Sequence, residues 1–128
     1  MAKLTGLTPM LKTDDMGDTV AFYTDVLGFT VDTLAPANVP TICFLDFGGV
    51  HVAFYVDIDR REASAMMTGQ LYFDVDDVLG YHEKVAPKAE VLWGPAVYHY
   101  GRREFAVRDP NGYVLTFGEP TASPPDPE

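Results

Sequence analysis

Three histidines, one cysteine and nineteen carboxylates are the raw material for metal or acid–base chemistry in this 128-residue chain. His51, His82 and His99 have no short metal-ligand spacing among them. Cys43 stands alone, which excludes an internal disulfide and any Cys-rich zinc site. It lies in an apolar run and reads as a small core or cavity residue, not as a nucleophile. Ser64 and Ser123 have no nucleophile motif around them. Strand alternation over Glu104–Arg108 puts Glu104, Ala106 and Arg108 on one face, opposite Phe105 and Val107. Glu104 is open there to two readings, a general base or a structural ion pair with Arg108 or a neighbour. No catalytic residue is assigned.

Charge narrows the partners. Nineteen Asp and Glu face nine Lys and Arg, a formal net charge of −10. A surface of that sign repels nucleic acid and anionic membranes, which need a basic patch. It either keeps the protein soluble or draws cationic ligands, and composition alone leaves both open. The size suits one domain with a real core. No run approaches the ~18 apolar residues of a membrane span, and Met1-Ala2-Lys3-Leu4-Thr5 carries no apolar leader, so the cytoplasm is the expected location.

The elements that must position these residues come twice. Leu7–Lys12 reads as a strand, and Asp18 as the N-cap of a helix carrying Val20, Tyr23, Val26 and Leu27 to a stop at Gly28. Strands follow at Phe29–Leu34, Thr41–Phe47 and Val50–Asp57, the last two joined at Gly48-Gly49. The second pass has a strand at Gln70–Val75 and a helix from Asp76-Asp77 to about Ala86. Strands at Glu90–Val97, Arg103–Arg108 and Gly112–Gly118 complete it. Asp14-Asp15 matches Asp76-Asp77 at an offset of 62, and Gly48-Gly49 matches Asn111-Gly112 at 63. The chain therefore reads as two βαβββ modules, 7–57 and 69–118, joined by a linker at 58–68 within a domain spanning 1–118. The Pro-rich stretch 119–128 is expected to be a disordered tail.

Phe22-Tyr23-Thr24-Asp25-Val26-Leu27-Gly28-Phe29 and Glu104-Phe105-Ala106-Val107-Arg108-Asp109-Pro110-Asn111-Gly112-Tyr113 resemble signatures of the vicinal oxygen chelate superfamily. That group includes glyoxalase I, extradiol dioxygenases, and the fosfomycin- and bleomycin-resistance proteins. The resemblance implies an α+β fold in which the two βαβββ modules form a curved mixed sheet around a central cavity. Met1-Ala2-Lys3-Leu4-Thr5, Pro9 and Gly101-Arg102-Arg103-Glu104-Phe105 look most like bleomycin-resistance binding proteins. These are non-enzymatic homodimers that hold a cationic drug in an acidic, aromatic groove. The positions matching the metal ligands of the superfamily's enzymes hold Thr8, Ala53, Gln70 and Thr116. Ala53 has no donor, and neutral Thr and Gln oxygens are weak ligands for zinc, nickel or iron. No metal and no other cofactor is therefore expected.

Alternation puts His51 with Ala53 and Tyr55 on the cavity face if Val52 and Phe54 pack on the helices. The expected lining runs from Thr8, Met10 and Lys12 through Thr41 and Cys43, then Gln70, Tyr72, Asp74, Glu104, Ala106, Val114 and Thr116. Ile42, Phe44, Phe73, Phe105, Leu115 and Phe117 are expected on the helix side. His82 is expected to be exposed or capping on its helix, and His99 to lie in a turn. Trp93, Tyr98 and Tyr100 either rim the groove or close a core or dimer contact. The candidate ligand-binding set is Cys43, His51, Tyr55, Tyr72, Trp93, Tyr98, Tyr100 and Glu104. The expected function is sequestration of a cationic, partly planar small molecule by a homodimer. The alternatives are a lyase, isomerase or dioxygenase-like enzyme with an atypical metal site including His51 or Glu104, and a scaffold dimer with a vestigial cavity.

Overall fold

A computed structural model of the chain describes residues 2–57 and 69–127. The expected linker at 58–68 lies outside the described residues. The chain divides into two compact units, Met1–Ala65 and Met66–Glu128. Unit 1 contains β1 (Met10–Lys12), α1 (Met16–Ala21), β2 (Thr30–Ala35), β3 (Ile42–Phe47) and β4 (Val50–Tyr55). Unit 2 contains β5 (Leu71–Asp74), α2 (Val78–Val85), β6 (Glu90–Tyr98), β7 (Arg102–Arg108) and β8 (Val114–Pro120). Each unit is one four-stranded mixed sheet with its helix. The strand orders are β1-β4-β3-β2 and β5-β8-β7-β6. In each the first strand runs parallel to the last, and the other neighbours are antiparallel. The two βαβββ modules thus share one topology.

The helix starts are built alike. Asp15 Oδ1 accepts the Asp18 N–H at 2.9 Å, and Asp77 Oδ1 accepts the Gly80 N–H at 3.0 Å. The N-cap of α1 is therefore Asp15, not Asp18, which lies inside the first turn. The carboxylate that caps must precede the free amides, and the repeat of Asp14-Asp15 in Asp76-Asp77 marks that position. After α1 the chain widens by one residue per turn over Phe22–Val26, where the Leu27 N–H reaches the Phe22 carbonyl at 3.2 Å. Gly28, at φ +93°, then ends the segment in the left-handed region.

The helix-facing sides of both sheets are apolar. In unit 1 the fully buried Tyr23 ring lies 4.9 Å from Phe54 and 5.6 Å from Phe29, and the paired Leu45 and Val52 are fully buried as well. In unit 2 Tyr81 lies 5.0 Å from Phe117, which stacks on Phe73 at 5.2 Å. His82 is half-buried edge-on against Phe105 at 5.1 Å, so it packs on the core instead of standing exposed or capping. Each such buried ring or aliphatic side chain contributes about 1.5–3 kcal/mol. Among the described residues, no helix is long and apolar enough to cross a membrane.

Two edges differ from expectation. The first strand begins at Met10, not Leu7, because Pro9 has no N–H to give; its carbonyl accepts the Ala53 N–H at 2.8 Å. The expected tail is ordered at its start and bonded further along. Glu119 and Pro120 extend β8 opposite Arg103 and Arg102, and the Thr121 N–H reaches the Gly101 carbonyl at 3.0 Å. Asp126 then closes the edge of β6 at Val97. Its N–H donates to the Val97 carbonyl at 2.9 Å, and its carboxylate accepts the Val97 N–H at 2.9 Å. Prolines remove donors, but a single non-proline residue suffices to satisfy both groups of one edge residue.

Candidate functional site

The face of the unit 2 sheet turned away from α2 is read directly from its register. Tyr72, Thr116, Ala106 and Trp93 lie on one rung. Asp74, Gly118, Glu104 and Ala96 form the next, and Arg102 opposite Tyr98 the one after. Cross-strand partners share a face, so these side chains form one surface. Thr116 and Ala106 are buried, and the Thr116 hydroxyl hydrogen-bonds the Gln70 side-chain carbonyl. Small residues thus line the middle, between Tyr72 at one side and Trp93 and Tyr98 at the other.

Glu104 is the centre of this surface. It is only 5% exposed, and each carboxylate oxygen accepts a phenol. Tyr100 Oη donates to Oε1 at 2.6 Å and Tyr72 Oη to Oε2 at 2.9 Å. Of the two readings, an ion pair of Glu104 with Arg108 or a neighbour is not formed among the described residues; Arg108 instead holds Glu90 at 3.0 Å, because those two face each other on the outer rung of β6 and β7. A buried carboxylate needs its lone pairs occupied, and the phenols do this without neutralising the charge. Burial, then the hydrogen bond to Glu104, pushes the Tyr100 hydroxyl up to about 12. Burial and Glu104 likewise raise Tyr72, although the nearby Arg102 pulls it down. Burial and the charges of Glu104 and Asp126 raise Tyr98. The phenols therefore stay protonated as donors at neutral pH. Their rings remain available, with Tyr72 44% and Tyr100 53% exposed.

Two local features of the chain make this possible. A side chain at Gly118 would put its Cβ against the Tyr72 hydroxyl, so glycine there is what lets Tyr72 reach Glu104. In β6 the register slips between Val91 and Trp93 and again between Trp93 and Ala96. These bulges bring Trp93 and Tyr98, which simple alternation would separate, onto the Glu104 face. Gly94 sits in the second bulge at φ +78°, where a Cβ would lie 2.3 Å from the Glu104 carbonyl oxygen. Tyr98 and Tyr100 stack across the hairpin turn at 5.9 Å, with planes 10° apart, and His99 lies in that turn as expected.

The sequence reading missed Arg102, having begun its strand at Arg103. Arg102 Nε donates to Tyr72 Oη at 2.7 Å, Nη2 to Asp74 Oδ1 at 2.6 Å, and the guanidinium lies 5.2 Å from the Tyr72 ring centre. Its spacing of two from Glu104 was the available signal. Gly118 was missed too, since a strand glycine shows its use only beside its neighbours.

In unit 1 the candidates are more scattered. His51, Ala53 and Tyr55 alternate along β4 on the face turned away from Tyr23 and Phe54. His51 Nδ1 lies 3.4 Å from Asp46 Oδ1 in a half-exposed pair. Cys43 does not join them. It pairs with Phe54 on the helix side and is fully buried, whereas Ile42 and Phe44, expected on the helix side, share the face of Tyr55 and Ala53. The Gly48-Gly49 turn has two residues, so odd positions on β3 oppose even positions on β4. Burial raises the Cys43 thiol, consistent with an inert core residue.

Thr8, Ala53, Gln70 and Thr116, the positions that the resemblance implies for metal ligands, offer no carboxylate, thiolate or imidazole donor. Thr8 is exposed, Ala53 is buried without a donor, and Gln70 and Thr116 are neutral and bonded to each other. Among the described residues, no three His, Cys, Asp or Glu side chains converge as a metal site.

Solved structures share this architecture. The bleomycin-binding protein of Streptomyces verticillus, solved with copper(II)-bleomycin, is 25% identical, with a TM-score of 0.69 over 97% of this chain and 100% of its own. TioX from Micromonospora sp. ML1 is 22% identical, with a TM-score of 0.77 over 90% of this chain and 98% of its own. A lactoylglutathione lyase from Agrobacterium tumefaciens is 22% identical, with a TM-score of 0.69 over 92% and 95%. No curated protein matches the chain in sequence. The model of the Glyoxalase/Bleomycin resistance protein/Dioxygenase superfamily matches residues 7–117, and the chain belongs to that superfamily.

Proposed function

We propose that this protein is a metal-free small-molecule binder of the bleomycin-resistance type, acting as a homodimer and sequestering a cationic, partly planar compound without chemistry. The observation that carries this reading is Glu104, a buried carboxylate clamped by two phenols whose rings remain exposed. A fixed negative charge behind aromatic faces favours a planar cation, each ring adding about 0.5–2 kcal/mol. Trp93 and Tyr98 extend the aromatic surface on the same face. Similarity to a bleomycin-binding protein supports the ligand class, and the net charge of −10 would draw such a ligand in. The poor donor set at the superfamily's metal positions supports binding over catalysis.

Elemental analysis of the purified protein, paired with thermal melting in bleomycin, tests this reading. Bleomycin at ~100 times its dissociation constant should add about 2.7 kcal/mol of stability without added metal. A divalent metal near one per chain, or no stabilisation by bleomycin, would overturn it.

A further inference from the structure

Arg102 occupies the place a cationic ligand would take. Its guanidinium is paired with the Asp74 carboxylate at 2.6 Å, hydrogen-bonded to the Tyr72 hydroxyl at 2.7 Å, and set 5.2 Å from the Tyr72 ring centre. It stands opposite Tyr98 on the neighbouring strand and two residues from Glu104 on its own. One carboxylate and one phenol ring are thus engaged by a planar cation that the chain itself supplies. The arrangement is poised for exchange. The Asp74 side chain is 84% exposed and that of Arg102 28%, so their ion pair is solvent-screened and weak.

We propose that Arg102 is a specificity-determining internal competitor: a cationic ligand binds unit 2 by displacing the Arg102 guanidinium from Tyr72 and Asp74. This rests on the cation-binding reading above and adds a selection rule to it. A ligand must offer a planar, weakly hydrated cation that matches a guanidinium over a ring. Compact ammonium ions, which hold their water more strongly, compete poorly. Neutral planar molecules compete less well, because they can replace the ring contact with Tyr72 but not the charge beside it.

The test titrates N-methylacridinium and neutral acridine into the wild-type protein and into Arg102→Met and Arg102→Gln. Melting curves verify that both variants fold. Removing the competitor should tighten N-methylacridinium about three- to tenfold and change neutral acridine much less. In the wild type, the Arg102 Nε–H resonance, held by Tyr72, should shift as N-methylacridinium binds. Wild-type binding with unchanged or weaker affinity in both variants would overturn the competitor and leave the cation-binding reading standing. So would equal gains for the two probes, or an unmoved Nε–H resonance. Failure of every protein to bind N-methylacridinium would remove the binding reading and the competitor with it.

Discussion

The two sheets have the same strand order, and β1, β4 and β3 pair in the same register as β5, β8 and β7, yet their faces away from the helices carry different chemistry. Where unit 1 places Met10, Lys12, Ile42, Phe44 and Tyr55, unit 2 places Tyr72, Asp74, Glu104, Ala106 and Gly118. Apolar bulk and one cation in the first unit correspond to carboxylates, a phenol and a vacated glycine position in the second. The exchange of Tyr55 for Gly118 is the instructive pair. A side chain fills that rung in one sheet; its absence in the other admits Tyr72 from the next strand. The duplicated framework holds the backbone, and a few substitutions on one face set what that face can bind.

The largest effect that would break this contrast is expected at Gly94, whose bulge puts Trp93 beside Ala106. Gly94→Ala meets the Glu104 carbonyl at 2.3 Å in a left-handed conformation. It should cost about 2–5 kcal/mol in denaturant unfolding. A cost below that of an ordinary surface substitution would show that the bulge is not fixed.

Glu104→Gln comes next. It leaves two phenols facing a neutral amide and should cost about 1–3 kcal/mol. It should also bring the Tyr100 hydroxyl down from about 12, measured by ultraviolet titration. An unmoved Tyr100 titration would contradict the clamp. Gly118→Ala should cost a similar ~1–3 kcal/mol by driving Tyr72 off Glu104. Adding Tyr72→Phe, which removes the nearest clashing atom, should recover part of it, and Tyr72→Ala, which removes the ring as well, should relieve more of the clash; failure of both would place the strain elsewhere.

Alkaline pH sharpens the contrast further. A phenol raised to about 12 when folded, against 10.0 ordinarily, keeps its proton longest in the native state. Its contribution is intact below pH 10 and is lost as pH rises toward 12. Stability should therefore fall through that window in the wild type and less so in Tyr100→Phe. Equal slopes would remove Tyr100 from the linkage. The smallest effect is expected in unit 1. His51→Ala breaks a half-exposed pair with Asp46 and should change stability by about 0–1 kcal/mol. A larger loss would mean His51 holds more than that pair.

Much of this architecture was legible in the sequence, for reasons that particular residues make plain. The paired Asp strings, the glycine turns and the alternating apolar strands set out both modules, since periodicity and caps are local properties. On unit 2 alternation placed Tyr72, Asp74, Glu104, Ala106 and Thr116 on one face, where they stand. The same reasoning misplaced Cys43, Ile42 and Phe44, because it carried one parity through a two-residue hairpin. The partners of Glu104 were illegible, since Tyr100 reaches back from a turn and Tyr72, two strands away, crosses the glycine on the strand between. Prolines in the final segment hid the one aspartate that closes the β6 edge.

Calorimetric titration of bleomycin into the wild type and Glu104→Gln tests most directly whether the clamped carboxylate of unit 2 binds a cation. The wild type should bind, and the variant, if its melting curve shows it folded, should bind at least about tenfold more weakly, as a charge-assisted contact would require. Equal affinity in the two proteins would contradict that role for Glu104, and absence of heat in the wild type would contradict the binding function itself.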